Sequence, residues 1–265
     1  MNKIHPMAYV SPDAVLGDNI EIGPFAFVDA QTQIGDGTHI MNGATIFNHV
    51  KIGKDCNVFP GAVVGAIPQD LKFEGEESWV EIGDRVNIRE CATINRGTAA
   101  SGRGVTKIGN DTLIMSYVHI AHDCHIGNHC IIVSYAGMAG ETDVDDWATI
   151  AGKAGTHQFT SIGTHSFLQA GSRLSKDVPP YVLSGRDPVV FEGVNRIGLL
   201  RRGFTEDQVN EIKAIYDAIY FQGMNTSQAV EYIEANFPAS EHRDVILGFI
   251  RRSRRGIIPK PRPEK

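Results

Sequence analysis

Aliphatic residues recur every six positions from the start of the chain: Ile4, Val10, Leu16, Ile22, Val28, Ile34, Ile40, Ile46, Ile52, Val58 and Val64. The phase returns at Ile82, Ile88 and Ile94. It resumes after a shift at Ile108, Ile114, Ile120, Ile126, Ile132, Met138, Val144 and Ile150. Thr156 interrupts it before Ile162, Leu168 and Leu174. Six residues match neither the helical period nor the two-residue alternation of a half-buried strand. They match a short strand and a sharp bend, repeated, with the aliphatic side chain pointing inward. The fifth position of the hexad is small or β-branched, as at Ala8, Ala26, Thr38, Cys56 and Ala92, which suits a crowded inner corner. The residue after the aliphatic is often glycine, and the expectation is that these glycines supply the backbone angles of the bend. Gly17, Gly35 and Gly53 recur at intervals of 18, as do Gly109 and Gly127. Three hexads therefore make one triangular coil, and stacked coils make a parallel β-helix.

Two stretches interrupt the repeat. Residues 70–81 form an insertion that keeps phase and mixes charge with aromatics. Residues 100–107 form a shorter one that resets the phase. Excursions from a solenoid tend to gather on a binding face, so the first is read as functional. Beyond Pro179-Pro180 the period becomes helical. Val209, Ile212, Tyr216 and Ile219 share one face, with Thr205 placed as N-cap and Gly223 as stop. Further helices are expected from Thr226 to Asn236 and from Ser240 to Ser253. The predicted organisation is a β-helix over residues 1–185 followed by a small α-helical domain over 186–265.

Composition adds little except at two points. Hydrophobic residues are 42% and charged residues 21% of 265, ordinary values for a globular protein. No apolar run reaches the roughly 18 residues of a membrane span, so no integral membrane segment is expected. The first informative number is 28 glycines, which the hexads absorb. The second is charge. The net −6 argues against a nucleic-acid partner, and it is unevenly spread. Residues 186–265 carry 13 basic and 11 acidic side chains, a net +2, whereas the first 185 carry 12 and 20, a net −8. Arg251, Arg252, Arg254 and Arg255 bunch at the basic end.

Candidate chemistry is confined to a few residues. Cys56, Cys124 and Cys130 fall on the small inward position and read as structural thiols; Cys91 has no evident role. No CxxC spacing supports a zinc ribbon. Four histidines cluster at His119, His122, His125 and His129. Residues 18 apart stack at about 4.8 Å, the spacing of paired strands. His122 then lies over Gly140 and Asp123 over Glu141, with His157 on the following coil. Three readings stay open here: a solvated polar corner, a general base, or a zinc site built from His119, His122 and a neighbour's histidine. In the second, His122 would accept a proton near neutral pH, Asp123 would fix its tautomer, and Gly140 would leave room for substrate and offer an N–H to an oxyanion. His125 and His129 are expected to be stacked histidines of a solvated polar corner.

Ordered motifs narrow the choice. They are Pro68-Gln69-Asp70-Leu71-Lys72, His119-Ile120-Ala121-His122-Asp123-Cys124, His157-Gln158-Phe159, Asp177-Val178-Pro179-Pro180-Tyr181-Val182, Gly193-Val194-Asn195 and Arg201-Arg202-Gly203-Phe204. Over nearly the whole chain the pattern resembles the left-handed β-helix hexapeptide-repeat acyltransferases. Within them it resembles the UDP-N-acetylglucosamine O-acyltransferase family of lipid A biosynthesis. The resemblance implies a cytoplasmic homotrimer with sites between neighbouring coils and no bound cofactor. The 3-hydroxyacyl chain would arrive on the phosphopantetheine of acyl carrier protein. It implies His122 as general base, Asp123 as its orienting partner and Gly140 as oxyanion donor. It implies substrate contacts at Gln69, Asp70, Lys72, His119, Glu141, His157, Asn195, Arg201 and Arg202. The arginines of the tail would meet the acidic carrier protein. Glu141 stands where relatives carry His. Ala170 stands at the position that sets acyl length, often Gly, and its small size implies a long chain. The alternatives are a related acyltransferase with another sugar acceptor and a zinc γ-type carbonic anhydrase. A sister enzyme that acylates an amino group carries an extra N-terminal domain, which a repeat starting at Ile4 does not accommodate.

Overall fold

A computed structural model describes residues 1–261. Strands of two to five residues alternate with bends, and they line up into three sheets of eleven, nine and eight strands, parallel throughout except for the last pair of the eleven-stranded sheet. Each sheet is one wall of a triangular prism, and the whole is a left-handed β-helix. The register follows the repeat: Lys3 pairs with Glu21, Glu21 with His39, and His39 with Asn57. Every core aliphatic from Ile22 to Leu168, and every Ala, Thr or Cys at the fifth position between them, is buried or nearly so. The hydroxyls of Thr38 and Thr112 reach this interior without penalty, because each donates to a carbonyl one coil away, Gly53 and Gly127.

The bend lies elsewhere than expected. The left-handed residue of each hexad comes three places after the aliphatic. It is usually not glycine: Phe25, His49, Arg85, Tyr117, Asp123, Tyr135 and Glu141 all have φ near +60°. Of the glycines expected at the bend, only Gly65 adopts positive φ. The others are required by close approach. A Cβ on Gly35 would stand 2.6 Å from the carbonyl carbon of Gly53, and one on Gly109 would stand 2.6 Å from that of Gly127. Along this edge successive coils touch through their backbones, and any side chain would push them apart.

Both insertions begin and end earlier than the broken periodicity indicates. Trp79–Ile82 is a strand paired with Val50–Ile52, so the first excursion occupies residues 67–78. Val105–Ile108 pairs with Trp79–Ile82, so the second occupies residues 96–104. Trp79 to Glu81 and Val105 to Lys107 therefore belong to the walls of the prism.

The eleven-stranded sheet runs past residue 186. Val182–Gly185 pairs parallel with the last coil and antiparallel with Val190–Val194. The sequence pattern gave no sign of this hairpin, or of the short helix Arg196–Arg201 behind it. Three longer helices follow at Glu206–Phe221, Thr226–Asn236 and Glu241–Arg252. Thr205 and Asn225 close capping boxes with Gln208 and Gln228, and Ser240 caps the last helix. Asp177, fully buried, ties this end to the coil. It accepts from the Ser161 N–H at 2.8 Å and from the Ser253 hydroxyl at 2.5 Å.

Candidate active site

The corner carrying His122 is organised by the second excursion. Asp123 sits in the left-handed corner position and is completely buried. The tight turn brings two adjacent side chains together, and His122 Nδ1 lies 2.8 Å from Asp123 Oδ2. The Thr98 N–H donates to both carboxylate oxygens at 3.1 and 3.0 Å, and the Thr98 hydroxyl donates to Oδ2 at 2.8 Å. Thr106 Oγ1 accepts from the Asp123 N–H, and Arg103 donates to the Asp123 carbonyl while pairing with Asp143. At Gly97 a Cβ would stand 2.7 Å from Asp123 Oδ1, so the loop closes on the carboxylate only because that residue has no side chain.

These contacts fix charge and tautomer. Burial pushes the Asp123 carboxyl up, but the hydrogen bonds from His122 and Thr98 outweigh it and hold the group below the ordinary carboxylate value. An ionised carboxylate only accepts, so His122 Nδ1 carries the proton and Nε2 of the neutral ring is a free base. The hydrogen bond to Asp123 raises the His122 pKa, against the opposing effect of burial. The ring lies over Gly140: a Cβ there would stand 2.4 Å from Nε2. The space the glycine leaves is filled by the imidazole, not held open for substrate as expected. The Gly140 N–H finds no acceptor among the described residues.

A cleft of about 500 Å³ opens in front of this dyad, lined by Gln69, Asp70, Lys72, Asn95, His119, His122, Gly140 and Gln158 among others. The first excursion folds back to form one lip, bringing Asp70 Oδ2 to 3.4 Å from His122 Nε2. His119 faces the cleft with Nδ1 held 2.8 Å from Thr93 Oγ1, and burial lowers its pKa, so it enters as a neutral ring.

The remaining expected contacts lie apart from this cleft on a single chain. His157 is exposed, and its neighbour Gln158 takes the place in the cleft wall. Glu141 lines a separate cavity of about 1020 Å³ with Arg103, His125 and Arg254, and burial raises its pKa. Asn195 and Arg202 sit on another corner, where a ladder of His129, Trp147, His165 and Tyr181 stacks. There Asn195 donates to the His165 carbonyl and the Arg202 guanidinium lies over Trp147. His129 stacks in this ladder and stays half-exposed, on a corner of stacked rings. Ala170 is exposed beside Gly171 on the third corner, whose backbone bonds to Gly152. In the arginine patch, Arg251 pairs with Glu234, Arg252 with Asp145, and Arg255 donates to the carbonyls of Ser175 and Gln158.

No group of three or more His, Cys, Asp or Glu side chains among the described residues has the arrangement to hold a metal ion. Burial pushes the thiols of Cys124 and Cys130 up to about 12, in keeping with packing roles. Thr98, Thr106, Arg103 and Asn95 were not anticipated. The eight-residue shift in register hides that Thr98 meets Asp123, since their 25-residue separation matches no multiple of the coil.

The chain is similar to known proteins along its whole length. Residues 177–258 match the family model of UDP-N-acetylglucosamine O-acyltransferase domain 2, and residues 106–140 match the bacterial transferase hexapeptide model. An acyl-[acyl-carrier-protein]–UDP-N-acetylglucosamine O-acyltransferase of Thiobacillus denitrificans is 44% identical over 260 residues, 97% of this chain and 100% of that protein. One of Stenotrophomonas maltophilia is 41% identical over 257 residues, 97% of each chain. The crystal structure of a UDP-N-acetylglucosamine acyltransferase from Bacteroides fragilis superposes with a TM-score of 0.93 at 49% identity, covering 96% of this chain and 99% of that one.

Proposed function

The chain belongs to the family of acyl-[acyl-carrier-protein]–UDP-N-acetylglucosamine O-acyltransferases, and from that premise we propose the following reaction at the His122 cleft. The enzyme moves a 3-hydroxyacyl chain from the phosphopantetheine thioester of acyl carrier protein to the 3-hydroxyl of UDP-N-acetylglucosamine, the first step of lipid A biosynthesis. His122 Nε2 takes the hydroxyl proton as the oxygen attacks the thioester carbonyl. The Gly140 N–H donates a hydrogen bond to the tetrahedral oxyanion. Collapse expels the thiol of the carrier, and the imidazolium returns its proton to sulfur, so the enzyme ends as it began. A thiolate leaves readily, so activating a poorly acidic hydroxyl is the main task.

The observation that carries this reading is the buried His122–Asp123 pair at 2.8 Å, with Nε2 turned into the cleft under Asp70. Gln69, Asp70, Lys72 and His119 surround the reacting groups. Asn195, Arg201, Arg202, His157, Glu141 and Ala170 are read as contacts completed across a homotrimer. Glu141 shares the His122 corner, but Asn195 and Arg202 lie on a second corner and Ala170 on the third, and that separation supports a site shared between copies. Arginines suit a nucleotide diphosphate, which guanidinium groups bind with paired N–H donors. Arg251, Arg252, Arg254 and Arg255 are read as the face toward the acidic carrier protein. No described helix is long and apolar enough to cross a membrane. A cytoplasmic site of action is part of the proposal.

The test is acyl transfer from 3-hydroxyacyl carrier protein to UDP-N-acetylglucosamine. His122→Ala should abolish turnover while the protein still assembles and melts as wild type. Near-normal turnover in that variant would remove His122 from the mechanism.

A further inference from the structure

Among the described residues, Asn95 is the one buried side chain of the cleft that the proposed reaction leaves unused. It is 3% exposed and ends the strand Thr93–Asn95, directly before the second excursion. Its amide nitrogen donates to the carbonyls of Ala66 at 3.3 Å and Ile67 at 3.0 Å, at the root of the first excursion. Two carbonyls can only accept, so they dictate which end of the amide faces them. The Oδ1 end is thereby fixed on the other side, and it accepts from nothing among the described residues. Leaving a buried acceptor unpaired costs about 1–3 kcal/mol, a penalty that folded proteins rarely carry unless something else completes the bond. Asn95 is a lining residue of the cleft that holds His119, His122 and Asp70.

We propose that Asn95 is a substrate-positioning residue whose side-chain oxygen accepts a hydrogen bond from a donor group of the bound substrate. The inference rests on the acyl-transfer reading above. The donor class is an O–H or amide N–H, and two sources offer it: the acetamido and hydroxyl groups of the sugar, and the 3-hydroxyl of the acyl chain. The same residue ties the roots of both excursions together, so substrate binding and the placement of Asp70 and Lys72 would be coupled through one side chain.

The experiment compares wild type, Asn95→Ala and Asn95→His in steady-state transfer. The imidazole of the His variant keeps one N–H donor and one acceptor nitrogen, so it can replace both functions of the amide. Wild-type transfer is the control for the underlying reading. Its absence would defeat the reaction assignment, whereas a wild-type rate with unaffected variants would defeat only the role of Asn95. The expected result is a rise of about tenfold or more in KM for Asn95→Ala, with kcat within about threefold, and substantial recovery in Asn95→His. A rise confined to UDP-N-acetylglucosamine identifies the sugar as the source. A rise confined to the hydroxyacyl donor, and absent with a donor lacking the hydroxyl, identifies the acyl chain. Unchanged KM for both substrates would overturn the proposal. If the Ala variant does not fold, wild-type crystals soaked separately with each substrate decide the matter. A substrate O–H or N–H within hydrogen-bond distance of Oδ1 supports the proposal, and an ordered water there in both overturns it.

Discussion

Gly140→Ala isolates the contact between His122, the proposed base, and the coil beneath it. The substitution adds a single methyl group at a position whose φ lies outside the left-handed region, so the backbone itself is not strained. The new Cβ would stand 2.4 Å from His122 Nε2, 2.5 Å from Cε1 and 3.1 Å from Cδ2, against an ordinary contact of about 3.4 Å or more. The ring must retreat by about 1 Å. It cannot pivot freely, because Nδ1 is held by Asp123 and Asp123 is held in turn by Thr98. A reacting group displaced by that distance loses about 10²-fold in rate. The backbone N–H of residue 140 survives the change, so the loss measures the position of the proposed base and not the removal of the proposed oxyanion donor. The assay is the initial rate of thiol release from the acyl carrier donor with saturating sugar nucleotide. kcat should fall about 10²-fold, with a loss of stability no greater than the roughly 1–3 kcal/mol that overpacking costs. Gly248→Ala is the control. It lies inside the helix Glu241–Arg252 with nothing within 4 Å of the added atom, and kcat should be unchanged while stability rises by about 0.5–1 kcal/mol. Wild-type kcat in Gly140→Ala would refute the claim that His122 works from its place over Gly140.

Two further outcomes follow from the same contacts. With His122 as the proposed base its neutral form is the active one, and Asp123 raises its pKa, so the acid limb of the kcat/KM profile should lie above the ordinary histidine value near 6.5. In Asp123→Asn that limb should move to lower pH while the plateau falls by about 10²-fold or more; a limb that stays put would separate Asp123 from His122. Asp177→Ala removes the acceptor shared by Ser161 and Ser253, and loss of these buried, charge-assisted bonds should cost about 2–3 kcal/mol and lower Tm by roughly 5–10 °C. A melting curve identical to wild type would show that the Asp177 side chain adds nothing to the junction between the coil and the helical end.

The hexad pattern carried most of the architecture because it is a local signal repeated over many coils. Inward aliphatics, the 18-residue register and the three longer helices were all legible, and their residues are where the pattern puts them. The stacking of His122 on Gly140 and the pairing of His122 with Asp123 follow from that register as well. The cause of the glycines was not legible. Close approach between coils and a left-handed bend leave the same letter in a sequence, and only the backbone separates them. The hairpin at Val182–Val194 carries no repeat and left no trace.

What the chain's order of residues determined, then, is everything that depends on neighbours at fixed spacing: the prism, its core and the corner on which His122 sits. Tertiary structure decided what depends on loops that leave the register. Thr98 orders Asp123, Asp70 returns to His122, and Asn95 is left with an empty acceptor, each across a separation that the two excursions make aperiodic. Periodicity encodes contacts between equivalent positions, whereas a catalytic corner is assembled from inequivalent ones.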